Sequence, residues 1–332
     1  MTCILLPAIR AALTRREEEG DHARASSRDG QDPCHDRPRH GGQAEDPRDD
    51  PRGGAQAGRR LCALLERGRA GDGDGRPLDP RPSGPIPVRL YDPGTAAPAP
   101  CLVFLHGGGW VLGNVHGYDG VCRRLARDGG FRVLSVDYRL APEHKFPIPL
   151  DDCLAALRWV GASGAELGID GARLAVAGDS AGGNLSLAAT MGLRDRGGPR
   201  LKAAALIYGA FDADFDTPSY RAYGKDEYLL SREDMIWFWD HYLDGAADQR
   251  DPRAVPVHGA LEGLPPLLVT AAELDPLLDD SRRLVERLKG VGAPHDWAFW
   301  PGVVHGCIDM ARLLEPAEGF LTETARWVAA RL

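Results

Sequence analysis

The sequence has no long apolar run, and this absence bears first on the membrane. No stretch approaches the roughly 18 consecutive apolar residues that a membrane span requires. The first 16 residues carry one short apolar patch that ends at Pro7 and is followed by arginines, which is neither the order nor the length of a secretory signal. We therefore expect a cytoplasmic protein without a membrane span.

An excess of basic residues is also missing. The 332 residues include 40 Lys and Arg against 48 Asp and Glu, which gives a formal net charge of −8. A surface that tracks the phosphates of nucleic acid needs many basic contacts, and no cluster of that type is present. Nucleic acid is therefore excluded as an expected partner.

Cysteine motifs are absent as well. The seven cysteines are odd in number and scattered, without a CxxC pair, so neither a disulfide framework nor a zinc ribbon is predicted. We expect reduced thiols with structural roles and no metal site. The cysteines are Cys3, Cys34, Cys62, Cys101, Cys122, Cys153 and Cys307.

The amino-terminal segment, residues 1–84, has too few core-forming side chains to fold as a domain. Residues 20–60 contain no Val, Ile, Leu, Met, Phe, Trp or Tyr. Such a composition cannot bury a core and predicts a largely disordered, low-complexity segment. Only four of the 40 basic residues are Lys, which suggests GC-rich coding, and an out-of-frame translation of part of residues 17–80 is the alternative hypothesis.

From residue 85 onward, short apolar runs alternate with amphipathic segments, a pattern typical of a mostly parallel sheet flanked by helices. We therefore predict an α/β fold for residues 85–332, which is long enough for one large domain. Strands are predicted at Ile86 to Tyr91, Cys101 to Leu105, Phe131 to Val136, Arg173 to Ala177, Ala203 to Tyr208, Leu267 to Ala272 and Asp296 to Trp300. Helices are predicted at Asp151 to Val160, Ala181 to Arg194, Pro276 to Lys289 and Pro316 to Leu332.

One insertion, residues 211–260, interrupts this alternation with an aromatic-rich stretch. Ser231 followed by Asp234 predicts the N-cap and first turn of a helix that runs through Tyr242. The aromatic side chains have two interpretations, plain packing or a lid over an apolar substrate site, and both can hold for different residues.

The pentapeptide Gly-Asp-Ser-Ala-Gly, residues 178–182, follows a predicted strand and precedes a predicted helix. This is the context of a nucleophile elbow, in which a serine stands at the tip of a sharp turn in a strained conformation. The residues two before and two after it must be glycines so that strand and helix pass closely. Ser180 is therefore the candidate nucleophile, and the alternative is a glycine-rich turn with a capping serine.

The segment His-Gly-Gly-Gly-Trp, residues 106–110, follows another predicted strand. A loop without side chains can turn backbone N–H groups toward a ligand oxygen, and oxyanion holes are built in this way. The rival interpretation, a phosphate cradle, lacks both the GK[ST] ending of a P-loop and a GxGxxG motif. His106 itself is expected to hold the turn through a local hydrogen bond rather than to react.

A nucleophilic serine requires a base and an orienting acid, and both are present later in the chain. Asp275 and His305 each follow a predicted strand, in the order serine, acid, histidine that this topology requires. The rival acids are Glu273, expected to point into a neighbouring loop, and Asp279 and Asp280. These two are expected to be solvated residues in the first turn of the following helix.

Together these motifs resemble the hormone-sensitive-lipase-like family of α/β-hydrolase esterases over roughly residues 85 to 332. The resemblance rests on HGGGW (106–110), DYRLAPE (137–143), GDSAGGN (178–184), DPL (275–277) and His305-Gly306. It implies an α/β-hydrolase fold with a helical cap, assembled from amino-terminal helices and the insertion at 211–260. Residues 20–80 depart from the family, because they show little of the amphipathic helix that such a cap contains.

The resemblance also implies a function and a set of site residues. The expected catalytic residues are Ser180, Asp275 and His305, and the expected oxyanion hole consists of the N–H groups of Gly108, Gly109 and Ala181. The expected reaction is the hydrolysis of short- to medium-chain acyl esters through an acyl-enzyme, without metal or cofactor.

Two alternative functions and one partner remain open at this stage. The same three residues would serve an amidase or deacetylase of small N-acetyl compounds, and some relatives are non-catalytic receptors for small molecules. All three catalytic positions are filled here, which favours the enzyme over the receptor. The expected partner is a small ester substrate, and the resemblance allows a homodimer formed through an edge strand or a terminal helix.

Overall fold

The computed structural model describes residues 75–78, 85–245, 248–311 and 314–332. Its strands are β1 (Gly75–Leu78), β2 (Ile86–Tyr91), β3 (Ala99–Leu105), β4 (Arg132–Val136), β5 (Ile169–Asp179), β6 (Ala203–Ile207), β7 (Leu267–Leu274) and β8 (His295–Val304). Its α-helices are α1 (Asp119–Gly129), α2 (Ile148–Ser163), α3 (Ala181–Arg196), α4 (Pro218–Tyr223), α5 (Arg232–Tyr242), α6 (Leu278–Gly290) and α7 (Glu315–Ala329). Short 3₁₀ turns lie at Gly164–Leu167, Asp226–Tyr228, Asp248–Arg250, Pro256–His258 and Cys307–Met310.

The strands form one mostly parallel sheet in the order β1-β2-β4-β3-β5-β6-β7-β8. β2 runs antiparallel to both of its neighbours, whereas the pairs from β4 and β3 through to β8 are parallel. The carboxyl ends of β3 and β5 to β8 therefore lie along the same edge. The loops that carry the candidate site residues leave the sheet at this edge.

Both faces of the sheet are covered by helices, because successive side chains of a strand point to opposite faces. In β3, Cys101, Val103 and Leu105 belong to the core on one face, and Leu102 and Phe104 belong to the core on the other. The first core is completed by α2, α3 and α6, and the second by α1 and α7. The α/β fold predicted from alternating apolar runs is therefore confirmed.

All seven predicted strands are present as β2 to β8, and the four helices predicted between them are present as α2, α3, α6 and α7. Helices α1 and α4 and strand β1 were not predicted from the sequence. Helix α1 has the sequence DGVCRRLARDG, in which a narrow stripe of Val121, Cys122, Leu125 and Ala126 is buried between charged residues. Strand β1 precedes residue 85 and pairs with β2, so the sheet begins within the segment expected to be low in structure.

The insertion 211–260 contains α4 and α5, and α5 begins as predicted. Ser231 Oγ accepts from the Asp234 N–H at 3.1 Å, and the Asp234 carboxylate accepts from the Ser231 N–H at 3.0 Å. This reciprocal capping box satisfies two N–H groups that the first turn of a helix leaves without partners. The predicted helix through Tyr242 is confirmed.

The remaining expectations for the amino-terminal segment lie outside the described residues. These include the disorder of residues 20–60, the out-of-frame hypothesis and the amino-terminal half of the cap. Cys101, Cys122, Cys153 and Cys307 are buried free thiols, and the other three cysteines precede the described residues. None of the helices in the described ranges has both the length and the apolar character that crossing a bilayer demands.

Candidate active site

The candidate nucleophile, Ser180, stands between the end of β5 and the first residue of α3. Its backbone has φ 54° and ψ −119°, a strained conformation for a residue with a side chain. A β-carbon on Gly182 would overlap the carbonyl oxygen of Leu105, and one on Gly178 would overlap the carbonyl of Gly182. Only glycine fits at these two positions, because strand and helix cross at backbone distance.

Ser180, His305 and Asp275 form one hydrogen-bonded chain. Ser180 Oγ lies 2.9 Å from His305 Nε2, and His305 Nδ1 lies 2.8 Å from Asp275 Oδ2. The second Asp275 oxygen accepts from the Leu277 N–H at 2.8 Å. An ionised carboxylate only accepts, so the neutral imidazole carries its proton on Nδ1 and presents Nε2 as an acceptor to the serine hydroxyl.

These three side chains come from the carboxyl ends of three different strands. Ser180 follows β5, Asp275 follows β7, and His305 follows β8. Asp275 is 1% exposed, and the His305 side chain is 11% exposed, so the acid is shielded from water while the imidazole has access to the site. The parallel sheet therefore brings together residues that are far apart in the sequence.

The loop of residues 106–110 follows β3 and bends sharply. Gly108, Gly109 and Trp110 have successive positive φ values of 105°, 59° and 60°. The carbonyl of Gly108 accepts from the N–H groups of Val111 and Leu112 at 3.1 and 2.8 Å. Trp110 tolerates this conformation, but the first two positions require glycine, because a β-carbon on Gly108 would overlap the Leu112 carbonyl and one on Gly109 would overlap the Phe238 ring.

The N–H groups expected to form the oxyanion hole are available at this loop and at the start of α3. Among the described residues, the N–H groups of Gly108, Gly109 and Ala181 donate to no other protein group. Ala181 also begins α3, and the amino end of a helix favours negative charge. The arrangement can therefore receive an oxygen that develops negative charge.

His106 holds the turn, as the sequence suggested. It is fully buried, and its Nδ1–H donates to the Gly107 carbonyl at 2.8 Å. Its ring stacks on Tyr138 at a centroid distance of 4.3 Å, and the Tyr138 hydroxyl donates to the His106 carbonyl at 2.7 Å. Burial lowers the pKa of His106, so the ring is neutral and serves as a packing element.

Helix α5 covers the same loop from the insertion 211–260. The Trp110 ring stacks on Tyr242 at 4.3 Å with an interplanar angle of 4°, and it also contacts Trp239 at 4.5 Å. The Phe238 ring lies against Gly109, where a β-carbon would overlap it. These three aromatic residues of α5 are buried and serve packing, whereas Trp237 remains partly exposed.

A second carboxylate, Asp179, lies directly beneath the site. It is 2% exposed, and its Oδ2 accepts from the Tyr118 hydroxyl at 3.0 Å. Burial raises the pKa of Asp179 to about 7, while the Tyr118 hydrogen bond and the charge of His305 oppose the rise. Sequence analysis assigned no role to Asp179 or Tyr118. The only signal was the position of Asp179 within the pentapeptide.

The rival acids have other partners. Glu273 accepts from the Gly302 N–H at 2.7 Å, so it contacts strand β8 rather than the neighbouring loop that was expected. Asp279 lies in the first turn of α6 and accepts from the Ser219 N–H at 2.8 Å. The expectation that Asp280 is solvated is wrong. It is 1% exposed and accepts from two backbone N–H groups of the incoming insertion, those of Phe211 and Asp212.

A family model described as the alpha/beta hydrolase fold matches residues 102–309 of the chain. The chain belongs to the hormone-sensitive-lipase-like family of α/β-hydrolases. The match includes the loop at 106–110, Ser180, Asp275 and His305, so it covers every residue singled out in this hydrolase as a site candidate.

Named relatives of this α/β-hydrolase are ester hydrolases. It is 39% identical over 241 residues to the carboxylic ester hydrolase LipN of Mycobacterium tuberculosis. The aligned region covers 70% of this chain and 64% of LipN. It is also 39% identical over 248 residues to an ethyl acetate hydrolase of Pseudomonas putida. This aligned region covers 73% of this chain and 77% of the hydrolase. A solved esterase of the archaeon Pyrobaculum calidifontis is 37% identical with a TM-score of 0.78, covering 83% of this chain and 89% of that one.

Proposed function

We propose that the protein is a serine carboxylesterase that hydrolyses short- to medium-chain acyl esters through an acyl-enzyme. The observation that carries this proposal is the unbroken hydrogen-bonded chain from Ser180 through His305 to Asp275, beside a loop with free N–H groups. The relatives named as ester hydrolases support the same reaction class.

In the first half of the reaction, Ser180 Oγ attacks the carbonyl carbon of the ester. His305 Nε2 accepts the serine proton as the new C–O bond forms, and Asp275 stabilises the resulting imidazolium. The tetrahedral intermediate then breaks its bond to the alcohol oxygen, and His305 returns the proton to this oxygen. An alcohol leaves, and the acyl group stays on Ser180.

In the second half, water replaces the alcohol. His305 takes a proton from the water, whose oxygen attacks the acyl carbon, and the proton returns to Ser180 Oγ when the acyl–serine bond breaks. In both halves the oxyanion is held by the N–H groups of Gly108, Gly109 and Ala181. Donors fixed in advance cost no reorganisation during the reaction, which makes this interaction a large part of catalysis.

The insertion 211–260 is proposed to act as the cap over the acyl group. Its helix α5 lies on the oxyanion loop through Phe238, so the acyl pocket borders this helix. The name of the Pseudomonas relative, an ethyl acetate hydrolase, favours short acyl groups. We therefore propose residues 85–332, with the edge strand β1 added to their sheet, as the catalytic domain, the rest of residues 1–84 as an appended segment, and a small-molecule ester as the substrate.

We further propose that the enzyme is cytoplasmic and forms a homodimer through β8. This strand ends the sheet, and Trp297 and Phe299 project from it with 38% and 40% of their surfaces exposed. Exposed aromatic side chains on an edge strand favour association with a second copy. Analytical ultracentrifugation of the wild type and Trp297→Glu tests this, and a monomeric wild type would refute the dimer.

The function is tested by hydrolysis of p-nitrophenyl esters from acetyl to dodecanoyl, with Ser180→Ala as the matched control. We expect turnover of the shorter esters by the wild type and its loss in Ser180→Ala. The amide p-nitroacetanilide is measured in parallel, and we expect it to be cleaved far more slowly. A folded wild type that turns over no ester faster than Ser180→Ala would overturn the proposal, and faster cleavage of the amide would assign an amidase.

A further inference from the structure

Asp179 is unusual because its side chain is buried beneath a reaction centre in which no step uses it. It directly precedes Ser180 in the chain and is 2% exposed. A buried carboxylate is costly unless hydrogen bonds compensate it. Its Oδ2 accepts from the Tyr118 hydroxyl at 3.0 Å, and Tyr118 lies immediately before α1, between the motifs at 106–110 and 137–143 and in neither of them.

The oxyanion loop rests directly on this hydrogen bond. A β-carbon on Gly107 would lie 2.6 Å from Asp179 Oδ2 and 2.7 Å from the Tyr118 hydroxyl oxygen. The φ of Gly107 is not in the left-handed region, so this position requires glycine for space rather than for conformation. The Gly107 backbone also opposes the rise in the Asp179 pKa that burial causes.

We propose that Asp179 is a positioning residue that fixes the oxyanion loop relative to Ser180. One end of Asp179 is joined to Ser180 through the peptide bond, and its carboxyl oxygen contacts Gly107 and Tyr118. The next two residues of the loop, Gly108 and Gly109, supply two of the three proposed donors. The distance between donors and nucleophile is therefore set by one side chain, and the inference rests on the proposed esterase function.

The groups around Asp179 favour this role. Of those that interact with it electrostatically, His305 is the one that belongs to the reaction centre, so Asp179 lies close to the catalytic base as well as to the oxyanion loop. Asp309, a second buried acid in the turn after His305, has its pKa raised by burial and by Asp179 and holds its proton more tightly. The titratable groups that face Asp179 are Tyr118, Tyr138, Tyr208, Cys122, Cys307, His305 and Asp309.

The test compares Asp179→Ala with Asp179→Asn on p-nitrophenyl acetate. Alanine removes the acceptor oxygen, so we expect kcat to fall about 10- to 100-fold with KM changed less than about threefold, because the oxyanion forms only in the transition state. Asparagine keeps an oxygen of the same shape, and we expect it to restore kcat to within about threefold of the wild type. Tyr118→Phe, which removes the donor alone, is expected to lower kcat by about two- to tenfold.

Controls separate positioning from a general loss of stability. Asp152→Ala removes an equally buried acid that pairs with Arg139, and we expect a lower Tm with kcat unchanged at a temperature where every variant is folded. Tyr91→Phe is the control for Tyr118→Phe, since its hydroxyl donates to the Val115 carbonyl away from the site.

The possible outcomes distinguish the inference from the proposed function. Full kcat in a folded Asp179→Ala would overturn the positioning role while leaving the esterase intact. Equal losses of kcat in Asp179→Ala and Asp152→Ala would also overturn it. If Asp179→Ala does not fold, full kcat in Tyr118→Phe or loss of kcat in Asp179→Asn overturns it. A wild type no more active than Ser180→Ala would overturn both proposals.

Discussion

The ring of Phe238 lies against Gly109, so close that no side chain could be added to the glycine. Gly109 belongs to the loop that carries two of the proposed oxyanion donors, and Phe238 belongs to α5 of the insertion. The two elements therefore share one packing interface, and a change in either one affects the geometry of the reaction centre.

Gly109→Ala is expected to lower kcat/KM by at least about 100-fold, because the new methyl group displaces Phe238 or the donor loop. Adding Phe238→Ala makes room, and the double variant should regain at least about tenfold over Gly109→Ala. Steady-state kinetics on p-nitrophenyl acetate measure both. Gly130→Ala is the control, since Gly130 has a similar φ of 66° with nothing within 4 Å of its β position. Strictly additive effects in the double variant would contradict this interpretation.

Tyr138→Phe should destabilise the protein by about 1–3 kcal/mol, because it leaves the buried His106 carbonyl without the donor now at 2.7 Å. The ring stack with His106 stays, so kcat should fall only a few-fold. Urea unfolding gives the free energy and p-nitrophenyl acetate hydrolysis gives kcat. Tyr91→Phe removes a longer hydrogen bond of 3.4 Å and should cost less. Equal costs in the two variants would be inconsistent with this argument.

Ser231→Ala should reduce the free energy of unfolding by about 1 kcal/mol, because the first turn of α5 loses its capping box. Since α5 supports the donor loop, a small loss of kcat should accompany the change. Ser163→Ala is the matched control, because Ser163 precedes a 3₁₀ turn without a side-chain capping bond. Urea unfolding measures both variants, and an equal loss of unfolding free energy in the two would contradict the stabilising role of the capping box.

Asp179→Asn should change how stability depends on pH. Burial raises the pKa of Asp179 to about 7 from its ordinary value of 3.8, so between these values the folded protein holds a proton that the unfolded chain has released. The contribution of Asp179 to stability therefore declines as pH rises through this window. Asp179→Asn removes the decline, and its Tm relative to the wild type should increase from pH 4 to pH 7 and then level off.

The control for this pH experiment is Asp170→Asn, because the contribution of Asp170 to stability should change with pH in the opposite direction. A hydrogen bond from Arg173 lowers the Asp170 pKa, so its contribution is present at neutral pH and disappears as pH falls below the ordinary aspartate range. Asp170→Asn should be less stable than the wild type at pH 7, and the difference should shrink in acid. A wild-type-like pH dependence of Tm in Asp179→Asn would contradict the assigned burial effect.

Much of the sheet could be predicted from the sequence because its strands are short apolar runs. The expected Ile86 to Tyr91 coincides with β2, whereas the expected Arg173 to Ala177 is only the middle of β5. The first residues of β5, IDGAR, carry charge and glycine. Only Ile169 of these pairs with β3, and residues 170–173 lie in a register shift before regular pairing resumes at Leu174, which no apolar pattern could predict. Helix α1 was missed because most of its residues are charged or small.

Some residues of the candidate site could likewise be predicted from the sequence, and others could not. Ser180, Asp275 and His305 follow apolar strands, so topology alone indicated that they meet. Tyr118 and Phe238 belong to no motif, and nothing in the sequence places either one against the glycine loop. The burial of Asp280 was missed because it depends on where the chain returns after β6, which the local sequence of α6 does not encode.

The three side chains of the hydrogen-bonded chain leave strands β5, β7 and β8, and His305 is the last of them to be synthesised. A nascent chain still missing its final strand has the serine but neither a base nor the edge of the sheet that holds one. Hydrolytic activity on the ribosome is therefore impossible until translation has passed His305 and β8 has joined the sheet. Appearance of turnover during timed synthesis would thus report the docking of β8 onto the sheet.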